Sequence, residues 1–166
     1  VMGVPELPRL FFIEGGALAV ENAIKAAMDW KVRKNIAEGR GEIGTEVLHF
    51  RNAFHGRTGY TMSLTNTDPK KVMYYAKFDW PRVRNPHIRY ALDEPRRSEQ
   101  VVIDEKQAEG EIMQALRDRP HRVCSIIIEP IQGEGGDRHF RREWFATLRR
   151  ICDQHELLLI YDEVQS

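Results

Sequence analysis

Two stretches decide how this chain folds: Val123-Cys124-Ser125-Ile126-Ile127-Ile128-Glu129 and Leu157-Leu158-Leu159-Ile160-Tyr161-Asp162-Glu163. Each is a short apolar run, without polar alternation, closed by a carboxylate. A strand with one wet face alternates apolar and polar residues, so runs like these predict strands buried on both faces. Between them, Arg142 to His155 places Trp144, Phe145, Leu148, Ile151 and Cys152 at helical spacing. Ahead of the first, Gln107 to Arg117 carries Ile112, Met113 and Leu116 on one side and is stopped by Pro120. Helix, strand, helix, strand is the pattern of a parallel sheet with helical crossovers.

Working outward, Glu46 to Phe50 is a further strand, running into the polar and aromatic loop Arg51 to Arg57, and Tyr60 to Leu64 predicts a helix. Leu10 to Ile13 predicts a strand that ends at Glu14-Gly15-Gly16. Ala17 to Trp30 then reads as a helix through Leu18, Val20, Ile24, Ala27 and Met28. The charged, Pro-containing stretch from Asp79 to Glu99 looks most like a linker, and no internal repeat or low-complexity tract is present. The fold class is α/β, with a mostly parallel sheet covered by helices.

Composition narrows the function classes. The chain has 166 residues, 42% apolar and 30% charged, the balance of one globular domain. Lys+Arg and Asp+Glu are both 25, so net charge near zero leaves no field to draw a nucleic acid or an acidic membrane. The apolar runs fall far short of the roughly 18 to 20 residues that span a bilayer, so neither a nucleic acid nor a membrane is expected as a partner. Cys124 and Cys152 lie in or beside apolar runs without CxxC spacing and read as reduced core side chains, which points to the cytoplasm. The opening at Val1 without Met, and the end at Ser166 just past a central strand, lead us to expect part of a longer protein.

Ligands of parallel sheets sit beyond the carboxyl ends of the strands, where the Glu14 turn, the Phe54 to Arg57 loop, the Glu129 segment and Asp162 all fall. Glu14-Gly15-Gly16-Ala17, opening a helix, is either an anion cradle or a plain connecting turn; it lacks the Gly-Lys-Ser/Thr of a Walker A loop. Leu157 to Glu163 has a Walker B outline that would put Asp162 on magnesium, but no phosphate loop accompanies it. Asp162 otherwise caps a turn, or supplies a fixed negative charge beneath a cationic heterocycle. Ile128 to Gly136 sets Glu129 and Glu134 in a Pro- and Gly-rich turn that neither helix nor strand propensity explains. In Asn52 to Arg57, Phe54 is suited to stack on a planar ring and Arg57 to grip a carboxylate with its fork, while His55 by itself reads as structural. HExxH, GxSxG and cysteine clusters are missing, so no metal site is expected.

Taken together, these strings resemble the class III, ornithine-type aminotransferases of fold type I, which use pyridoxal 5′-phosphate. The likeness runs from Phe11 to Ser166. It rests on Glu14 to Asn22, Phe54-His55-Gly56-Arg57-Thr58-Gly59-Tyr60, Ser63-Leu64-Thr65-Asn66-Thr67, Lys77-Phe78-Asp79-Trp80-Pro81-Arg82 and Glu129 to Phe140. Within the family, the Lys77 to Arg82 string and Gly136-Asp137-Arg138-His139-Phe140 favour members that act on L-lysine over those acting on ornithine or 4-aminobutyrate.

The resemblance implies that residues 1–166 are part of the cofactor-binding large domain, with an N-terminal segment and a small C-terminal domain outside them. It implies transfer of the terminal amino group of L-lysine to 2-oxoglutarate, giving 2-aminoadipate 6-semialdehyde and glutamate, in a homodimer. Residue by residue, it assigns the cofactor phosphate to Gly16 and Ala17, the two ring faces to Phe54 and Val164, the pyridine nitrogen to Asp162 and the neighbourhood of the phenolic oxygen to Gln165. Arg57 corresponds to the anchor for the α-carboxylate of lysine. Glu134 corresponds to the carboxylate that shields a downstream arginine in one half-reaction and frees it for 2-oxoglutarate in the other. Glu129 is a supporting residue of that loop. The family's Schiff-base lysine falls downstream of Ser166, and none of Lys25, Lys31, Lys34, Lys70, Lys71, Lys77 and Lys106 has its context. Residues 1–166 alone are therefore expected to be inactive. Two other classes compete: a magnesium-nucleotide module built on Asp162-Glu163, and a catalytically dead interaction domain.

Overall fold

The computed structural model describes residues 7–166. In chain order its elements are α1 (Gly16–Ala37), β1 (Glu46–Phe50), α2 (Thr61–Leu64), a 3-10 turn (Pro69–Lys71), β2 (Arg82–Val83), α3 (Glu94–Asp118), β3 (Val123–Ile128), β4 (Ile131–Gln132), β5 (Arg138–His139), α4 (Arg142–His155) and β6 (Leu158–Tyr161). Four strands form one parallel sheet in the order β2-β1-β3-β6, and β4 pairs with β5 in a small antiparallel hairpin. Every residue of β1 and β3 is buried, as the unbroken apolar run of β3 predicts; in β1 this includes the polar Glu46 and His49.

The two faces of the sheet are packed by different helices. On one, Leu48, Phe50, Ile126 and Ile128 meet Ala108 and Ile112 of α3 and Trp144, Leu148 and Ile151 of α4. On the other, Val47, Cys124 and Ile127 meet Val20, Ile24 and Ala27 of α1. Side chains should alternate between faces along a strand, yet Cys124 and Ile126 point to opposite sides. The β1–β3 register supplies the reason: Glu46 pairs with Val123 and Val47 with Ser125, so Cys124 is an extra residue, a bulge that shifts the facing pattern. Both cysteines are free and buried, and burial pushes their thiols up to about 11 and about 12.

Three sequence expectations need correction. Leu10 to Ile13 is not a strand; it is an exposed, irregular segment whose Phe11 and Ile13 lie along Ala19, Ala23 and Ala26 of α1. Without a neighbouring strand, β propensity alone forms no ladder. Asp79 to Glu99 is not a linker, since it holds β2 and the first turns of α3. Pro95 misled the reading because proline is tolerated in the first turn of a helix, where its missing N–H would be unpaired anyway. α1 runs past Trp30 to Ala37, because Lys31 and Asn35 continue its buried stripe. Lys31 donates to the Glu156 carbonyl at 2.8 Å, and Asn35 to the Ile43 and His121 carbonyls at 2.7 and 3.0 Å. Polar residues here fill apolar positions by satisfying otherwise orphaned carbonyls. Among the described residues no helix is long and apolar enough to cross a membrane.

His49 of β1 is buried, with Nδ1 at 3.1 Å from the Leu64 carbonyl, and burial, with the nearby Arg82 charge, pushes it down from 6.5 to about 3. The folded chain thus keeps His49 neutral while the unfolded chain protonates it below about pH 6.5. Stability is lost as pH falls from 6.5 toward 3. His49→Gln in the full-length protein should flatten that acid limb, read from urea denaturation midpoints at neutral and mildly acidic pH; an unchanged slope would show that His49 contributes nothing to it.

Candidate active site

Parallel strands deliver their carboxyl ends to one edge of the sheet, and four pieces of chain meet there. Phe54, His55 and Gly56 follow β1, Glu129 follows β3, Asp162 to Gln165 follow β6, and α1 brings its N-terminal Gly16 and Ala17. All of these residues except Glu163 line one cavity of about 170 Å³. Larger hollows exist elsewhere. The one beside Lys31, Arg40 and Arg119, about 430 Å³, is walled by charges already paired: Arg40 with Glu38 and Glu156, Arg119 with Glu46.

Glycine is required at two points of this junction. A Cβ on Gly16 would sit 2.7 Å from a Val164 methyl, and one on Gly56 would sit 2.5 Å from the Ala17 Cβ. Gly56 also has φ +107°, where a side chain is strained regardless of space. α1 makes its first internal hydrogen bond at Ala19 N–H, to the Gly15 carbonyl at 3.1 Å. The N–H groups of Gly16, Ala17 and Leu18 therefore have no partner within the helix, at the positive end of its dipole. The turn that the sequence left open between anion cradle and plain connection has the geometry of a cradle.

In the same cavity Asp162 is 7% exposed. Its Oδ2 is 2.7 Å from His55 Nδ1, and its Oδ1 accepts the Val164 N–H at 3.2 Å. The His55 main chain is itself fixed, its N–H donating to Thr65 Oγ1 at 2.9 Å. His55 Nε2 is buried with no partner among the described residues. Beside this pair, Glu129 accepts the Phe54 N–H at 2.9 Å. Burial pushes the Glu129 carboxyl above its usual range, and the Phe54 hydrogen bond pulls against that rise. A carboxylate bonded to an imidazole and a helix N-terminus with unpartnered N–H groups, lining one small cavity, can hold a ligand that carries both a cationic and an anionic group.

Of the residues singled out from sequence, Gly16, Ala17, Phe54, Asp162, Val164 and Gln165 line this cavity, with Glu129. Arg57 and Glu134 do not. Arg57 is exposed on the loop after Gly56. Glu134 sits in the β4–β5 turn, where its N–H donates to Gln165 Oε1 at 3.2 Å and its carboxylate is ion-paired with Lys71 and accepts from Thr67. Lys71 also lies over the Phe54 ring, 5.6 Å from its centre. Sequence reasoning missed Lys71, since a lysine in a polar stretch carries no signal of its partner. It undervalued His55, whose adjacency to Phe54 was the available clue.

Comparison with known proteins gives the family. The family model "Aminotransferase class-III" matches residues 2–166. An L-lysine-epsilon aminotransferase of Mycobacterium tuberculosis is 55% identical over all of this chain and 36% of its own length. One from Amycolatopsis lactamdurans is 46% identical, again over 100% of this chain and 36% of its own. The solved structure of a lysine aminotransferase from M. tuberculosis superposes with a TM-score of 0.92 at 55% identity, covering 98% of this chain and 37% of that one. The chain thus spans little more than a third of the length of these relatives.

Gly56→Ala combines a forbidden φ with a clash against Ala17. It should lower the stability of the full-length protein by about 1–3 kcal/mol, measured by chemical denaturation; a change within error would mean that α1 and this loop are not locked together.

Proposed function

The chain belongs to the class-III aminotransferases, with their α/β fold and parallel sheet, and from that premise we propose that the complete protein moves the terminal amino group of L-lysine to 2-oxoglutarate. One observation carries this reading: the free N–H groups of Gly16 and Ala17 and the carboxylate of Asp162 face the same cavity, with Phe54 and Val164 among its walls. The residues fit pyridoxal 5′-phosphate. A helix N-terminus without side-chain bulk suits its phosphate, a buried carboxylate suits its pyridine nitrogen, and an aromatic and an aliphatic side chain suit the faces of its ring. When bound, the cofactor supplies the electron sink that amino-group transfer requires.

The roles proposed for this chain's residues are those that the family resemblance implies. Gly16 and Ala17 hold the phosphate. Asp162 keeps a proton on the ring nitrogen, and His55 and the Val164 N–H orient its two oxygens for that contact. Phe54 and Val164 would hold the ring between them and exclude water from its faces, and Gln165 would lie near its phenolic oxygen. Arg57 takes the α-carboxylate of lysine, which points the ε-amino group inward. Glu134 covers the arginine that binds 2-oxoglutarate, and Lys71 occupies Glu134 when that arginine is elsewhere. The lysine that bonds to the cofactor belongs to the sequence after Ser166. Residues 1–166 are accordingly part of the cofactor-binding large domain and do not turn over by themselves. The buried, high-pKa thiols favour a cytoplasmic home. The apolar Leu10 to Ile13 segment beside α1 favours burial against a second copy, in a homodimer.

Asp162→Asn in the full-length protein should retain cofactor, visible by its absorbance, and lose transamination by roughly 100-fold or more, about 2.7 kcal/mol of barrier. Full activity in that variant would remove Asp162 from its role at the ring nitrogen. Assay with L-lysine, ornithine and 4-aminobutyrate decides the amino donor, lysine being the expected best substrate. For the dimer, sedimentation of the wild type should give twice the chain mass, and charged residues in place of Phe11 and Phe12 should shift it toward monomer.

A further inference from the structure

Arg57 is exposed and makes no hydrogen bond or ion pair with the described residues, so the backbone on either side of it alone fixes where its side chain leaves the loop. On one side Gly56 is fixed by Thr65, whose hydroxyl donates to the Gly56 carbonyl at 2.6 Å, and by its contact with Ala17. On the other side the anchor is Glu21 of α1, which lies outside the cavity. Glu21 Oε1 accepts the Thr58 hydroxyl at 2.5 Å and the Tyr60 N–H at 3.0 Å. The side chain of Glu21 is 11% exposed, and its only cation among the described residues is Lys25, at 3.9 Å. Thr58 N–H in turn donates to Thr61 Oγ1 at 2.9 Å, and Met62 N–H to the Thr58 carbonyl at 2.9 Å. The turn from Thr58 to Met62 closes on itself and is tied to α1 through a single carboxylate oxygen.

Ala17 and Glu21 are one helical turn apart on the same helix, and they hold the residues on either side of Arg57. The N-terminus of that helix is the anion cradle. A rise of about 1.5 Å per residue sets Glu21 roughly 7 Å along the axis from Gly16. We propose that Glu21 is the positioning residue of Arg57: it fixes the carboxylate anchor of the amino substrate relative to the phosphate cradle, and so sets the length of substrate that reaches the reacting centre. This rests on the proposed role of Arg57 as that anchor. The guanidinium fork binds a carboxylate through two bonds only when it is correctly oriented. Without the Glu21 acceptor, the Tyr60 N–H loses its partner and the Thr58 hydroxyl is left with Thr61 Oγ1, 3.0 Å away within the same turn, so the turn is no longer tied to α1 and the base of the Arg57 side chain is free to shift. Glutamine offers the same acceptor oxygen as glutamate, whereas leucine fills the space without one.

The test uses full-length holoenzyme with L-lysine and with cadaverine, which is lysine without its carboxylate. Glu21→Leu should raise the KM for lysine about 10-fold or more with kcat within about 3-fold, and should leave kcat/KM for cadaverine within about 2-fold. Glu21→Gln should stay within about 3-fold of wild type for both amines. Thr58→Val, a milder change for the event that Glu21→Leu does not fold, should raise the lysine KM about 3-fold or more without affecting cadaverine. Equal losses on both amines in Glu21→Leu and in Thr58→Val would mean a structural role only and overturn the proposal. Arg57→Ala is the control: if it discriminates between the amines and the Glu21 and Thr58 variants do not, the Glu21 inference alone fails. If Arg57→Ala does not discriminate, the role of Arg57 as anchor fails and takes this one with it.

Discussion

Where α1 begins, there is no room for a side chain. Gly16 lies against Val164 and Gly56 against Ala17, each so close that one methyl group would collide. The site depends on that contact, because it brings the start of one helix to the ends of three parallel strands. A parallel sheet gathers its strand ends on one edge but leaves open how near a separate helix approaches. The missing Cβ atoms decide it, and the 170 Å³ cavity is what remains between the four pieces.

Charge is placed in this cavity at a cost. Asp162 and Glu129 are both nearly fully buried, and a buried carboxylate without partners is strongly disfavoured. Each is answered locally: Asp162 by the His55 imidazole and the Val164 N–H, Glu129 by the Phe54 N–H. These partners all belong to the two loops that also wall the cavity. The interactions that make the carboxylates tolerable therefore also fix the aromatic ring and the valine beside them. Glu21 extends the same economy outward, since one carboxylate oxygen ties the turn next to Arg57 to α1.

The rim differs in kind. Arg57 and Glu134 stand outside the cavity, on loops, and the Glu134 carboxylate is matched with Lys71 rather than buried. Exposed pairs of this sort contribute little stability. The interior is fixed by hydrogen bonds and close packing, whereas the rim is exposed.

The central strand β3, the helix α4 and the parallel order of the sheet were legible in the sequence, because an unbroken apolar run and helical periodicity are local consequences of burial; β1 was legible as a short mixed run, though nothing local showed that its Glu46 and His49 are buried. So were the carboxylates at the ends of β3 and β6, since a charge that closes an apolar run marks where the strand leaves the core. Leu10 to Ile13 read as a strand from propensity alone, whereas a ladder needs a neighbour that no local pattern can supply. The start of α3 was hidden by a proline that the first helical turn accepts. The pairing of His55 with Asp162 and of Glu21 with Thr58 and Tyr60 joins residues 107, 37 and 39 positions apart. Tertiary structure alone decided those contacts, because hydrogen bonds between distant segments depend on how sheet and helix pack, and no spacing in the chain encodes that.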